Sequence, residues 1–100
     1  MAGKEHKFQH LVKSRFTKIE GLWHFTKEAL SLRGLPDLIG VYKGRFFAWE
    51  LKKNIQETRR RTGRIVLQRY ILRQIRKAGG IGEFVCPENF EDKLQELLRD

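Results

Sequence analysis

The chain has 100 residues, 21 of them Lys or Arg against 12 Asp or Glu, which leaves a formal net charge of +9 and a pI near 10.1. One domain spanning 1–100 with a modest core is expected at this length, and the charge favours a polyanionic partner, of which nucleic acid is the commonest. Cys86 is the only cysteine, which excludes an intrachain disulfide and a cysteine-based zinc site. No apolar run approaches the ~20 residues of a membrane span, and the lysine-rich start lacks a signal-peptide hydrophobic segment, so a cytoplasmic protein is expected.

Residues 5–19 place Phe8, Leu11, Val12, Phe16 and Ile19 at helical spacing with Lys7, Lys13 and Lys18 outside the stripe, an amphipathic first helix ending near Gly21. Leu22 to Thr26 alternates as a short strand does. Residues 27–36 read as a loop, because Arg33, Gly34 and Pro36 oppose regular structure. Two strands follow, roughly 37–43 and 45–52, turning at Lys43-Gly44. The segment 54–64 is polar and basic, with Arg59, Arg60, Arg61 and Arg64, and reads as a mobile loop. Residues 65–78 form a helix with Leu67, Ile71, Ile75 and Ala78 inward and Arg69, Arg73 and Arg76 outward, stopped by Gly79-Gly80. Ile81 to Cys86 is a short buried strand, and Asn89 caps a last helix carrying Phe90, Leu94, Leu97 and Leu98 on one face. The order α-β-β-β-α-β-α gives an α/β fold, a mixed sheet of about four strands flanked by helices.

Chemistry concentrates between Gly34 and Lys53. Strand alternation sends Glu50 and Lys52 to one side and Phe47, Trp49 and Leu51 to the other. A hairpin through Lys43-Gly44 lets Asp37 join the first pair. Two carboxylates and a lysine at one strand end suit a divalent metal and phosphodiester cleavage. Lys53 falls on the opposite face, where a phosphate contact is the most it can make. Gln68 shares a helical side with Leu72 and Ile75 and leans toward the sheet. His6 and His10, i and i+4 on one helix, lack a third ligand at useful spacing and read as a solvated pair. His24 reads as ordinary packing, and Trp23, Phe46, Phe47 and Trp49 as core or edge aromatics.

Gly34-Leu35-Pro36-Asp37, twelve intervening residues, Glu50-Leu51-Lys52 and the downstream Gln68 together resemble a PD-(D/E)xK nuclease, and within that superfamily the VRR-Nuc (virus-type replication-repair nuclease) domain. The resemblance covers nearly the whole chain and implies a restriction-endonuclease-like core. It implies that Asp37, Glu50 and the Leu51 backbone carbonyl hold Mg²⁺ or Mn²⁺, that Lys52 orients the attacking water, and that Gln68 positions the water or the lysine. An acid from the first helix, Glu5, completes the metal site in the family, with Glu20 and Glu28 as competitors. The implied activity is metal-dependent endodeoxyribonuclease cleavage leaving a 5′-phosphate and 3′-hydroxyl. Branched DNA (a Holliday junction, flap or fork) is the implied substrate and a symmetric homodimer the implied assembly, in a protein suited to a phage or prophage gene. Arg59, Arg60, Arg61, Arg64, Arg69, Arg73 and Lys53 are the expected phosphate contacts, which position a duplex without reading its sequence. The alternative reading is a catalytically inactive nucleic-acid-binding module with the same fold. A small ribosome-like RNA-binding protein would explain the charge but not the carboxylate–lysine arrangement.

Overall fold

The computed structural model describes residues 3–27 and 34–99, with the side chains of residues 4 and 5 excluded. The elements are α1 (Lys4–Phe16), β1 (Leu22–Thr26), β2 (Leu38–Tyr42), β3 (Arg45–Leu51), α2 (Ile55–Thr58), α3 (Gly63–Lys77), β4 (Ile81–Val85) and α4 (Phe90–Leu98). The strands lie in the order β1-β2-β3-β4. Both β1–β2 and β2–β3 are antiparallel, while β4 runs parallel to β3. A parallel neighbour cannot be reached by a tight turn, so the chain crosses over through α2 and α3. The result is an α/β fold with a four-stranded mixed sheet flanked by helices.

Two-residue alternation along β3 separates the two faces of the sheet. Phe47, Trp49 and Leu51 meet Phe8, Val12 and Phe16 of α1 and Phe90, Leu94 and Leu97 of α4 in one buried cluster. Each such side chain, fully buried, contributes about 1.5–3 kcal/mol. Phe16 packs edge-on against Phe47 and Phe90 against Trp49, with centroid separations of 5.5 and 6.1 Å. The opposite face carries α3, whose backbone lies so near β4 that a Cβ on Gly82 would sit 2.6 Å from the Leu72 carbonyl oxygen.

The β2–β3 hairpin turns at Lys43-Gly44, where φ is +48° and +82°. Positive φ at both central residues marks the two-residue turn whose twist matches the flanking strands. That turn sets the register, with Tyr42 opposite Arg45 and Leu38 opposite Trp49.

Several boundaries differ from the sequence expectation. The first helix ends at Phe16, with Thr17 as its C-cap and Ile19 in the following turn, and Leu11 is exposed. The 54–64 segment is not all loop. Asn54 Oδ1 accepts from the Glu57 N–H at 2.9 Å, capping α2, and Glu57 Oε1 accepts from the N–H of Lys53, just before the cap, at 3.4 Å. The α3 stripe is displaced: Ile65, Gln68 and Leu72 are buried, whereas Leu67 and Ala78 are exposed. The helix starts earlier than expected because Thr62 accepts from the Ile65 N–H. Asn89 precedes α4 but spends its side chain on the Cys86 N–H and the Phe84 carbonyl, tying the helix entry to the end of β4. Residues 28–33 of the expected 27–36 loop lie outside the described residues.

Candidate functional site

The hairpin register extends one step past β2 to set Asp37 opposite Glu50, and residues opposite one another in a sheet share a face. Asp37 Oδ2 accepts the Leu51 N–H at 2.9 Å, which anchors its carboxylate beside the strand that carries Glu50. The Lys27 N–H donates to the Asp37 carbonyl at 3.0 Å, and Lys27 Nζ lies 3.6 Å from Asp37 Oδ1.

Among the described residues Glu50, Lys52 and Gln68 are the buried polar ones, with 1%, 5% and 4% of their surface exposed. Gln68 Nε2 donates to Glu50 Oε1 at 3.1 Å. The side chain that sequence spacing turns toward the sheet therefore reaches the carboxylate across the helix–sheet layer. Lys52 follows β3 directly, its N–H donating to the Val85 carbonyl at 2.8 Å. Its neighbour Lys53 is exposed and pairs with Glu57 at 3.9 Å. The two lysines are thus as different in environment as alternation requires.

Burial is the main cause that pushes the Glu50 carboxyl from 4.5 up to about 9, and the Asp37 charge and a proton shared with Asp37 push the same way. The Lys27 and Lys52 charges oppose this and do not offset it. Gln68 Oε1 and, while Glu50 is ionised, Glu50 Oε2 are buried with no donor facing them. Leaving such atoms unmatched costs on the order of 1–3 kcal/mol each. Paired carboxylates, an orphaned carboxylate oxygen and a strand-end backbone make a donor set of hard oxygens. A small divalent cation fits it, because Mg²⁺ uses one or two carboxylates and keeps several waters. Among the described residues no group of three or more His, Cys, Asp and Glu could hold a metal.

Of the acids expected to complete the site, Glu20 is displaced. It precedes Leu22, which pairs with Tyr42 at the hairpin end, while Asp37 sits by Thr26 and Lys27 at the other end of β1. Four strand steps of ~3.3 Å separate the two ends by roughly 13 Å. The expectation for Glu5 concerns a side chain outside those described, and Glu28 lies outside the described residues. Lys27 is a site residue that motif spacing does not single out. Its signal is nevertheless present: an antiparallel β1 ending at Thr26 must deliver the next residue to the start of β2.

Arg59, Arg60, Arg61 and Arg64 are exposed between the end of β3 and the first turn of α3, and Arg73 is exposed further along α3. Arg69 is committed to structure, donating to the Thr58 carbonyl at 3.0 Å and lying 5.7 Å from the Phe84 ring centroid. Arg76 donates to the Gly82 carbonyl. Arg69 and Arg76 thus each also tie α3 to β4, through the Phe84 ring and the Gly82 carbonyl. His6 and His10 are exposed with Nε2 atoms 3.0 Å apart, and His24 packs edge-on against Phe16 at 5.5 Å. An open cleft of about 360 Å³ lined by Tyr42, Lys43, Arg45 and Arg99 lies at the hairpin end, away from the carboxylates. No described helix is long and apolar enough to cross a membrane.

Comparison with models of protein families, with curated proteins and with solved structures finds no match to this chain.

Proposed function

We propose that the protein is a divalent-metal-dependent endodeoxyribonuclease of the PD-(D/E)xK type, VRR-Nuc-like, that hydrolyses phosphodiester bonds in branched DNA. The observation that carries the reading is the buried Glu50 carboxyl, held opposite Asp37 with Oε2 lacking any donor. A fold gains nothing from two carboxylates and a lysine brought together out of water, since desolvated charges are costly unless compensated. A cation is the compensation that suits both oxygens.

Asp37 and Glu50, with the Leu51 carbonyl, would hold Mg²⁺ or Mn²⁺. When bound, the ion supplies Lewis acidity, lowering the pKa of water and offsetting charge on the phosphate. The chain's own groups do the rest. Lys52 orients the attacking water and stabilises the negative charge that develops on the phosphoryl oxygens. Gln68 fixes the Glu50 rotamer through Oε1, which would leave Oε2 free to hold a cation. The exposed Arg59, Arg60, Arg61 and Arg64 hold phosphates beside the strand end, which explains the +9 charge better than solvation alone does. A cytoplasmic homodimer presenting two sites to two strands belongs to the same proposal and is tested by mass in solution.

The test is cleavage of labelled four-way junction, flap and linear duplex DNA with Mg²⁺, Mn²⁺ or EDTA, beside Lys52→Ala. Metal-dependent cutting that the variant loses is the expected result. Tight, salt-sensitive binding without cutting in either metal would instead make the chain a catalytically inactive nucleic-acid-binding module.

A further inference from the structure

The sheet face that carries Asp37 and Glu50 continues toward the hairpin through a half-buried row to an exposed aromatic one. Its rows follow from the strand register: Lys27, Asp37 and Glu50; then Phe25, Ile39 and Ala48; then Trp23, Val41 and Phe46. Among the described elements α3 packs on β4 and part of β3, and on this side Phe25 and Ile39 are half-buried while Ala48 is buried. Trp23 is 62% exposed, and Val41 and Phe46 are exposed beside it. The Trp23 and Phe25 rings are within 10° of parallel, with centroids 6.3 Å apart. Large aromatics left in water on a sheet face call for an occupant.

Resting on the nuclease reading, we propose that this face binds unpaired nucleobases of the strand that enters the carboxylate site, with Trp23 as the principal stacking platform. The substrate would then be DNA with a single-stranded segment next to the scissile phosphate. Three observations favour this occupant over a second copy of the chain. The aromatic rows and the carboxylate row lie on one continuous face. Two row spacings of about 6.6 Å put the Trp23 row roughly 13 Å from Glu50, the span of about four stacked bases at ~3.4 Å each. Each copy also carries +9, so two such faces brought together accumulate like charge, whereas a phosphate backbone neutralises it. The unpaired state follows from chemistry: duplex bases stack on one another, and only extruded or single-stranded bases offer a free π-face.

The experiment is fluorescence-anisotropy binding, in EDTA so that nothing is cut, of labelled oligothymidylate and a blunt duplex of equal length. Wild type, Trp23→Ala and Trp23→Phe are compared, each with its solution mass from light scattering and its circular dichroism. Trp23→Ala should weaken oligothymidylate binding by about fivefold or more, change duplex binding less than about twofold, and leave the mass unchanged. Trp23→Phe should retain most of the affinity. Trp23 is exposed and Trp49 fully buried, so oligothymidylate should quench tryptophan fluorescence in wild type and not in Trp23→Phe. Wild-type-like binding of both DNAs by Trp23→Ala overturns this inference and leaves the nuclease reading intact. A fall from dimer to monomer mass with DNA affinity unchanged overturns it in favour of contact between copies. Failure of wild type to bind either DNA overturns the nuclease reading and this inference together.

Discussion

Replacing Glu50 by glutamine removes a negative charge from a place where burial and the Asp37 carboxylate both oppose it. The shape is kept. The amide oxygen can accept from Gln68 as Oε1 does, and the amide nitrogen takes the place of an oxygen that has no donor, facing Asp37. With the carboxyl pushed from 4.5 to about 9, the native protein keeps a proton that the unfolded chain has released at every pH between those values. Glu50 therefore stabilises the metal-free fold fully only below pH 4.5, and that contribution is lost as pH rises toward 9. From its unfolded pKa to pH 7 the loss is about 3 kcal/mol, and glutamine does not incur it. Thermal unfolding in EDTA from pH 5 to 8 reads the difference, because the ionisable groups away from Glu50 are common to both proteins. One kcal/mol moves the Tm of a domain this size by about 4–8 °C. Across that range the difference grows by about 4 kcal/mol, so the wild-type Tm should fall relative to Glu50→Gln by about 15–30 °C. Added Mg²⁺ or Mn²⁺ should raise the wild-type Tm at pH 7.5 and leave the variant's unchanged. Parallel pH profiles for the two proteins, or a variant less stable than wild type in EDTA at pH 7.5, would refute the reasoning.

Lys52→Ala should lower cleavage by about 10²–10⁴-fold and Lys53→Ala by no more than about twofold, as initial rates on one DNA substrate will show; equal losses would contradict the strand alternation. Lys27→Ala removes the ammonium 3.6 Å from Asp37, so titration calorimetry should find Mn²⁺ bound a few-fold more tightly, while the metal-free Tm falls. Gly82→Ala forces a methyl to 2.6 Å from the Leu72 carbonyl and should cost about 1–3 kcal/mol in urea unfolding. Replacing Arg59, Arg60 and Arg61 together by alanine should leave stability within about 0.5 kcal/mol. The same triple variant should flatten the slope of log K for duplex binding against log salt, by up to about 0.9 for each phosphate no longer neutralised.

The parts of the fold legible in the sequence are those governed by short repeats. Phe47, Trp49 and Leu51 against Glu50 and Lys52 is a period-two pattern, and the two faces of β3 follow it. The Lys43-Gly44 turn is legible because few residue pairs tolerate positive φ in succession. The buried stripe of α3 lies a residue or two out of phase with the one its spacing predicts, since Ile65, Leu67, Ile71, Leu72 and Ile75 are apolar on more than one side. Helical period alone does not choose between two apolar stripes; contact with the sheet does. The short α2 has no apolar signature, because its support is a polar cap within a basic segment.

At the candidate site, the sequence by itself determined which groups are available: two carboxylates, a lysine and a glutamine on facing sides of their elements. Local geometry is enough for that, because side-chain direction depends on position within a strand or helix. Only the tertiary structure decided what surrounds them. The register brought Asp37 across from Glu50, the crossover laid Gln68 over the carboxylate, and β1 delivered Lys27. The same assembly removed Glu20 to the far end of the sheet and left Trp23 in water beside the site. Burial and proximity are properties of segments distant in the chain, and they determine whether a carboxyl is an ordinary surface charge or, like Glu50, one that keeps its proton well above the usual carboxylate range.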